Sequence, residues 1–326
     1  MSPPTSDSPA PASPTRLKVG VVGTGALGRH HVRILAGLPE AELVGVYDAD
    51  PAAAAAVVRE QAPGTPVFAS LDALAGAAEA AVVAVPTSAH AEVGEALLAR
   101  GLHVLVEKPM ASSLAEADRL LAQADRAGRL LAVGHVEFYN PAVQALVALK
   151  TPPRFVEVQR LGVFSPRSLD VDVILDLMIH DLQILHALDG SPVAEVRATG
   201  IPVLSPRIDI ANARVALESG CVANLTASRV SAERVRKLRA FLPQRYYSLD
   251  YQAQEIRGYR LESPAAGETR PRIVPDDLPV VRGEPLAREL VAFLAACRGE
   301  AVPWVDGRQG RQALETALAV VAAVTV

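Results

Sequence analysis

The chain has 326 residues, half of them hydrophobic, a formal net charge of -4 and 21% charged residues. That length supports a large core and two domains, and the balanced charge gives no basic excess to attract nucleic acid. The apolar C-terminal run LETALAVVAAVTV is too short and Ala-rich to span a bilayer and reads as a packed helix, so no membrane association is expected. Two cysteines, Cys221 and Cys297, match no metal spacing and suit a reducing compartment, which together with the absence of a signal-like start points to the cytoplasm.

In chain order, residues 1–15 are rich in Pro, Ser and Ala and read as a disordered leader. From Leu17 onward, short β-rich runs alternate with helical spacing: LKVGVVG, a helix from near Ala26, AELVGVYDAD, a helix from Pro51, AAVVAVP, SAHAEVGEALLARG, LHVLVEKP, SLAEADRLLAQADRAG and RLLAVGH. This alternation predicts a doubly wound parallel sheet of the Rossmann type over residues 16–136. Residues 137–326 read differently. RFVEVQRLGVF precedes the apolar helix VILDLMIHDLQILHAL, six extended runs follow with short turns between them, and two helices near 284–298 and 308–323 close the chain. This second region is predicted to be an α+β domain with a mostly antiparallel, open sheet that binds substrate.

The loop VGTGALG contains Gly23, Gly25 and Gly28 in GxGxxG spacing between a strand and a helix. Gly23 allows the tight turn, Gly25 lets the backbone approach a pyrophosphate, and Gly28 lets the helix pack closely. Thr24, Ala26 and Leu27 complete the cofactor loop, and the helix N-terminus faces the phosphates. Asp48 ends the second strand 25 residues after Gly23, where a carboxylate binds the ribose hydroxyls and repels a 2′-phosphate, favouring NAD over NADP. Asp50 is the better cap for the helix at Pro51. Pro86 and Thr87 end the third strand and border the cofactor, and His90 either touches it or lies on the surface of the next helix.

Glu107 and Lys108 stand at the C-terminal end of the fourth strand, beyond which ligands lie in open α/β sheets. Lys108 there can donate a hydrogen bond to a substrate hydroxyl and stabilise the oxygen as it becomes a carbonyl. Pro109 follows and admits a cis peptide. In the second domain, Asp172, Asp176 and His180 recur every four residues with Gln183 three later, forming a polar stripe on an apolar helix. Histidine suits a general base because its ordinary pKa leaves it largely neutral. Lys108 favours the neutral imidazole and Asp176 the imidazolium. The alternatives are a self-satisfied buried pair or a metal site, and the latter lacks a clear third ligand. Arg160 and Arg167 are candidate partners for an anionic part of a substrate, Glu137, Tyr139 and Asn140 candidate substrate contacts, and the basic run ERVRKLR reads as the solvated face of a strand.

Together GTGALG, VPTSAH, VEKP and LDLMIHDL resemble the GFO/IDH/MocA oxidoreductases, over nearly the whole chain from Leu17. The resemblance implies an NAD(P)-dependent enzyme that moves a hydride at a sugar or cyclitol carbon. It implies that Lys108 and His180 are catalytic, that Asp176 orients the histidine or contacts substrate, and that a homo-oligomer (dimer or tetramer) forms through the C-terminal sheet. VGHVE-x-x-NPAV, SPRSLDVDV and LDLMIHDL are similar to a subgroup oxidising UDP-N-acetylglucosamine at C3, although Phe138 stands where that pattern commonly has Arg. A myo-inositol or free-sugar dehydrogenase is the alternative within the family. A non-catalytic NAD-binding sensor is the alternative outside it, and it would need neither Lys108 nor His180.

Overall fold

The computed structural model describes residues 16–164, 171–264 and 269–325. The expected leader, residues 1–15, and Arg167 lie outside the described residues.

The first half alternates strands and helices: β1 (Leu17–Val22), α1 (Gly28–Gly37), β2 (Ala41–Tyr47), α2 (Pro51–Gln61), α3 (Leu71–Ala77), β3 (Ala80–Val83), α4 (Thr87–Ala99), β4 (His103–Glu107), α5 (Leu114–Ala127) and β5 (Leu131–Gly134). Among the described residues these strands form a five-stranded parallel sheet ordered β2-β1-β3-β4-β5. Strands β3 and β5 are buried throughout, because helices cover both faces. The order reverses at β1, so the crevice beyond the carboxyl ends of β1 and β3 is where this topology binds ligands. Helix α3 has no counterpart in the sequence reading. It is a short, Ser70-capped helix that buries only Leu74 and Ala75, too few apolar positions for a periodic signal.

A 3₁₀ turn (Val136–Tyr139) and α6 (Pro141–Val147) lead into the second region, which continues with β6 (Phe155–Leu161), a π-helical turn (Ile174–Met178) and α7 (Ile179–Leu188). Then come β7 (Val193–Ile201), β8 (Ile210–Leu217), β9 (Val222–Ser228), β10 (Val235–Leu242), β11 (Arg245–Asp250), β12 (Glu255–Glu262), β13 (Arg272–Pro275), α8 (Pro285–Cys297), α9 (Gly307–Ala323) and β14 (Val324–Thr325). The nine strands order as β13-β12-β11-β10-β6-β9-β8-β7-β14, antiparallel except at β6–β9 and β7–β14. Helices α7 and α9 bury their apolar sides on one face. The other face is open and presents Phe241, Tyr259, Leu261 and Ile273. Among the described residues no helix is long and apolar enough to cross a membrane.

The boundary expected after residue 136 does not separate two cores. Leu290, Phe293 and Leu294 of α8 share a core with Val19, Val21 and Val32 of the first half. Val133 N donates to Val305 O at 3.1 Å beside β5. The chain therefore returns to the parallel sheet, and α8 closes one of its faces. Helical periodicity shows that α8 has an apolar stripe, but not which sheet the stripe covers.

Candidate active site

The glycine loop is built as its spacing requires. Gly23 has φ +89° and donates its N–H to Tyr47 O at 2.8 Å. A Cβ on Gly23 would stand 2.6 Å from Ala84 O, and one on Gly28 only 1.9 Å from Gly23 O. At Gly25 nothing lies within 4 Å, so the backbone there is open to a ligand. Gly25, Ala26 and Leu27 are exposed at the start of α1, while Thr24 is buried. The helix begins at Gly28 rather than near Ala26.

Thr24 turns inward because its N–H and hydroxyl both bond Asp48 Oδ2, at 2.6 and 2.8 Å, while Asp50 N bonds Oδ1 at 2.9 Å. Burial raises the Asp48 pKa, but these donors outweigh it and hold the carboxyl below its ordinary value. Helix α2 is capped by Asp50, whose side chain accepts from Ala52 N and Ala53 N, so Asp48 is not the cap. The loop thus fits a dinucleotide: open backbone at Gly25, a helix N-terminus, and a fixed carboxylate at the end of β2.

Between the two halves lies a cavity of about 220 Å³ whose lining includes Leu27, Pro86, Thr87, His90, Lys108 and Asp176. His90 is neither on the surface nor free. It is 1% exposed, and its ring nitrogens meet Pro109 O and Val85 O at 2.9 Å each, tying the ends of β3 and β4 together. Burial drives its pKa down against the pull of those carbonyls. The Lys108–Pro109 peptide is cis. Glu107 also borders the cavity, but its carboxylate turns away to meet His31 Nε2 at 2.7 Å.

Lys108 Nζ reaches across to the second half. It donates to the main-chain oxygen of Asp176 at 2.6 Å and to Asp176 Oδ1 at 3.1 Å. Asp176 sits within the π turn, whose extra residue changes the helical phase. The four-residue stripe is not one ligand surface: the Asp172 side chain accepts from Ile208 N at 3.0 Å.

His180 lies on the first turn of α7, 8% exposed, with Nδ1 buried and unpartnered. Burial lowers its pKa well below the ordinary value, and Lys108, Arg160, His135 and Arg236 lower it further, in that order. The competition left open by the sequence thus resolves toward neutral imidazole, the form that accepts a proton. His135 stands edge-on to it, ring centroids 5.9 Å apart. It is fully buried with both nitrogens unpartnered, and burial followed by the charge of Lys108 brings its pKa to about 3. The sequence reading did not single out His135, although it directly follows β5, where the strand-end rule that identified Lys108 applies equally.

Three expectations for substrate contacts need correction. Arg160 is 1% exposed, and its Nε and Nη2 bond Asp181 Oδ2 and Oδ1, both at 2.7 Å. Its Nη1 bonds Glu137 Oε1 at 2.7 Å, and its guanidinium lies over the Tyr251 ring. Its charge is spent inside the fold, where a phosphate cannot reach it. Tyr139 is buried and accepts from Val305 N at 3.1 Å, and Asn140 is buried as the cap of α6 with its amide on Tyr251 O. Neither faces the cavity, because the 3₁₀ turn directs both inward. Glu137 neutralises arginines: Arg160 and Arg236 depress its pKa against its burial.

Arg236 departs from the reading of ERVRKLR as the solvated face of a strand. It pairs in register with Arg160, shares its face of the sheet with buried Leu238 and Ala240, and meets Glu137 Oε1 at 3.2 Å with its side chain 27% exposed. Its partner is distant in sequence, so only the strand register reveals it. Among the described residues, one group could geometrically hold a metal ion: His31, Glu107 and Glu289, all buried.

Residues 17–135 match the GFO_IDH_MocA family, an oxidoreductase family with an NAD-binding Rossmann fold. The chain is 37% identical over 309 residues to UDP-N-acetylglucosamine 3-dehydrogenase of Acidithiobacillus ferrooxidans, covering 94% of this chain and 97% of that one. The solved structure of that enzyme, GnnA, superposes with a TM-score of 0.86 over 95% of this chain and 98% of its own. Myo-inositol dehydrogenase Hyg17 of Streptomyces leeuwenhoekii is 32% identical over 228 residues, 65% of this chain and 70% of that one. The fold also matches the WlbA dehydrogenase of Bordetella pertussis, with a TM-score of 0.75 at 21% identity, over 94% of this chain and 96% of that one. On the strength of the near full-length similarity, the chain belongs to the GFO/IDH/MocA oxidoreductase family, as its glycine loop, its EKP strand end and its Asp-x-x-x-His helix had indicated.

Proposed function

We propose that this protein oxidises C3 of UDP-N-acetylglucosamine to the 3-keto sugar, with NAD as cofactor. The observation that carries the reading is the 37% identity to a UDP-N-acetylglucosamine 3-dehydrogenase across 94% of the chain. The bound nicotinamide would supply the hydride acceptor. The chain's own residues then hold and deprotonate the alcohol. His180, kept neutral by burial and neighbouring cations, takes the hydroxyl proton. Lys108 hydrogen-bonds the same oxygen and stabilises its charge as the proton leaves, and Asp176 holds the Lys108 amine in place. Asp48, anionic and fixed by Thr24 and Asp50, repels a 2′-phosphate and selects NAD. With Arg160 withdrawn into the core, Arg236 is the cation we assign to the anionic part of the substrate.

Two further features extend the reading. The apolar outer face of the nine-stranded sheet, with Phe241, Tyr259, Leu261 and Ile273 exposed, supports a homo-oligomer joined there. The free Cys221 and Cys297 suit a cytoplasmic enzyme. The similarity to a myo-inositol dehydrogenase favours a second reading, in which the substrate is a cyclitol. NADH formation measured in parallel with UDP-N-acetylglucosamine, UDP-glucose, myo-inositol and free sugars separates them. Turnover of myo-inositol with none of UDP-N-acetylglucosamine would replace the first reading by the second.

A further inference from the structure

Helix α8 carries an ionisable group into the interior that the proposed reaction does not use. Glu289 is 0% exposed, and neither carboxyl oxygen has a hydrogen-bond partner. It meets His31 of α1 and Glu107 of β4, each contributing one atom to a group within 4.8 Å of one another. His31 Nε2 and Glu107 Oε1 are 2.7 Å apart, whereas His31 Nδ1 is buried and unpartnered. The other Glu107 oxygen accepts from the backbone N–H of Lys108 at 3.3 Å. A line of contacts therefore runs from α8 through this pair to the main chain of Lys108.

Two carboxyl groups and one imidazole in a dry space cannot all be charge-balanced. Burial, and then the charge of Glu107, raises the pKa of Glu289 well above the carboxylate range, which favours its protonated form. A protonated carboxyl has an O–H donor that a carboxylate lacks; Glu107 and His31 lie within 4.8 Å of it, and the Tyr139 phenol is near enough to feel its charge. Here α8 touches α1 and the Lys108 strand end together, which explains why a helix late in the chain packs on the parallel sheet beside the site.

We propose that Glu289 is a positioning residue: its carboxyl group closes onto the His31–Glu107 pair and fixes the strand end from which Lys108 reaches Asp176. The proposal rests on the reading of Lys108 as the group that holds the reacting oxygen.

Full-length wild type, Glu289→Gln, Glu289→Leu and Glu289→Met are compared with NAD and UDP-N-acetylglucosamine. Glu289→Gln, which keeps a neutral donor, should retain kcat within about twofold and an unchanged pH profile. Leu and Met should lower kcat about tenfold or more, since small displacements of a catalytic group are costly. Their KM should change less than about twofold, which separates a loss of positioning from a loss of substrate binding. The second apolar variant covers failure of the first to fold.

Labelling of Lys108 by an amine-reactive reagent, followed by mass spectrometry, reads its placement without any substrate. Labelling should accelerate in the Leu and Met variants and not in Gln, even if UDP-N-acetylglucosamine is not turned over, a failure that would count against the substrate reading alone. Wild-type kcat and labelling in the apolar variants, or a Gln variant as impaired as Leu, overturns the proposal. So does a stoichiometric divalent ion in wild type that is lost in the Gln variant.

Discussion

Lys108 Nζ donates simultaneously to the carbonyl oxygen and to the carboxylate of Asp176, at 2.6 and 3.1 Å, joining the end of β4 to the π turn before α7. That contact spans the two halves of the molecule across the cavity. It places the Lys108 amine and Asp176 in the lining of one cavity, with Lys108 near enough to His180 for its charge to lower the imidazole pKa. Removing the amine therefore removes oxygen stabilisation without touching the glycine loop. Lys108→Met should lower kcat by about 10²- to 10³-fold, as loss of an oxyanion donor does, while NAD affinity measured by calorimetry stays within about threefold.

His180 is predicted to be the proton acceptor. His180→Asn keeps the size of the side chain but not its basicity, and kcat should fall by about 10²- to 10⁴-fold. Because burial and nearby cations hold the pKa of His180 well below its ordinary value, the acid limb of kcat/KM for wild type should lie below the pH at which a free histidine titrates. A limb centred on the ordinary histidine pKa would contradict this placement.

His135 makes stability depend on pH. Its folded pKa, about 3, is below its ordinary value of 6.5, so between these values the unfolded chain binds more protons than the folded one. Stability from this group is complete above pH 6.5 and is lost as pH falls toward 3. Within that window the loss is about 1.4 kcal/mol per pH unit. Denaturant melts at pH 7 and pH 5 should show the decline, and His135→Gln should make it shallower.

Much of this was legible in the sequence, and the exceptions share a cause. The glycine loop, Asp48 and Lys108 are local: each follows from a strand, a turn and a short spacing, and Leu27 of the loop and Lys108 line one cavity. The misread residues are those whose partners lie far along the chain. Arg160 looks like a free cation until Asp181 and Glu137 meet it from α7 and the 3₁₀ turn. Arg236 looks solvated until register sets it beside Arg160. Glu289 carries no signal of its own in the sequence, since only the docking of α8 on the parallel sheet buries it. The helical stripe from Asp172 to His180 assumed a regular helix, whereas a π turn lies between Asp172 and His180 and the Asp172 side chain accepts from Ile208 N.

The two arginines should separate cleanly. Arg160→Met leaves Asp181 buried without its cation and Glu137 with Arg236 alone, which should cost about 3–5 kcal/mol of stability, read from denaturant melts. Arg236→Met should be well tolerated by the fold. It should raise KM for UDP-N-acetylglucosamine about tenfold or more if the side chain holds a substrate anion, with KM for NAD unchanged.

Asp48 is expected to decide the cofactor. Asp48→Ala removes charge-assisted hydrogen bonds to the ribose and should weaken NAD binding about 10- to 100-fold. Affinity for NADP should rise, since the charge opposing its 2′-phosphate is gone. Titrations of wild type and variant with both cofactors check this, and an unchanged NAD-to-NADP ratio would remove Asp48 from that role.

The most direct measurement is the initial rate of NADH formation from NAD and UDP-N-acetylglucosamine, for wild type and Lys108→Met, with the product identified by mass spectrometry. The account predicts a product lighter by two hydrogens, NADH in equal amount, and a rate in the variant lower by about 10²-fold or more. No NADH from wild type at saturating concentrations of both compounds, or equal rates in the two proteins, would contradict it.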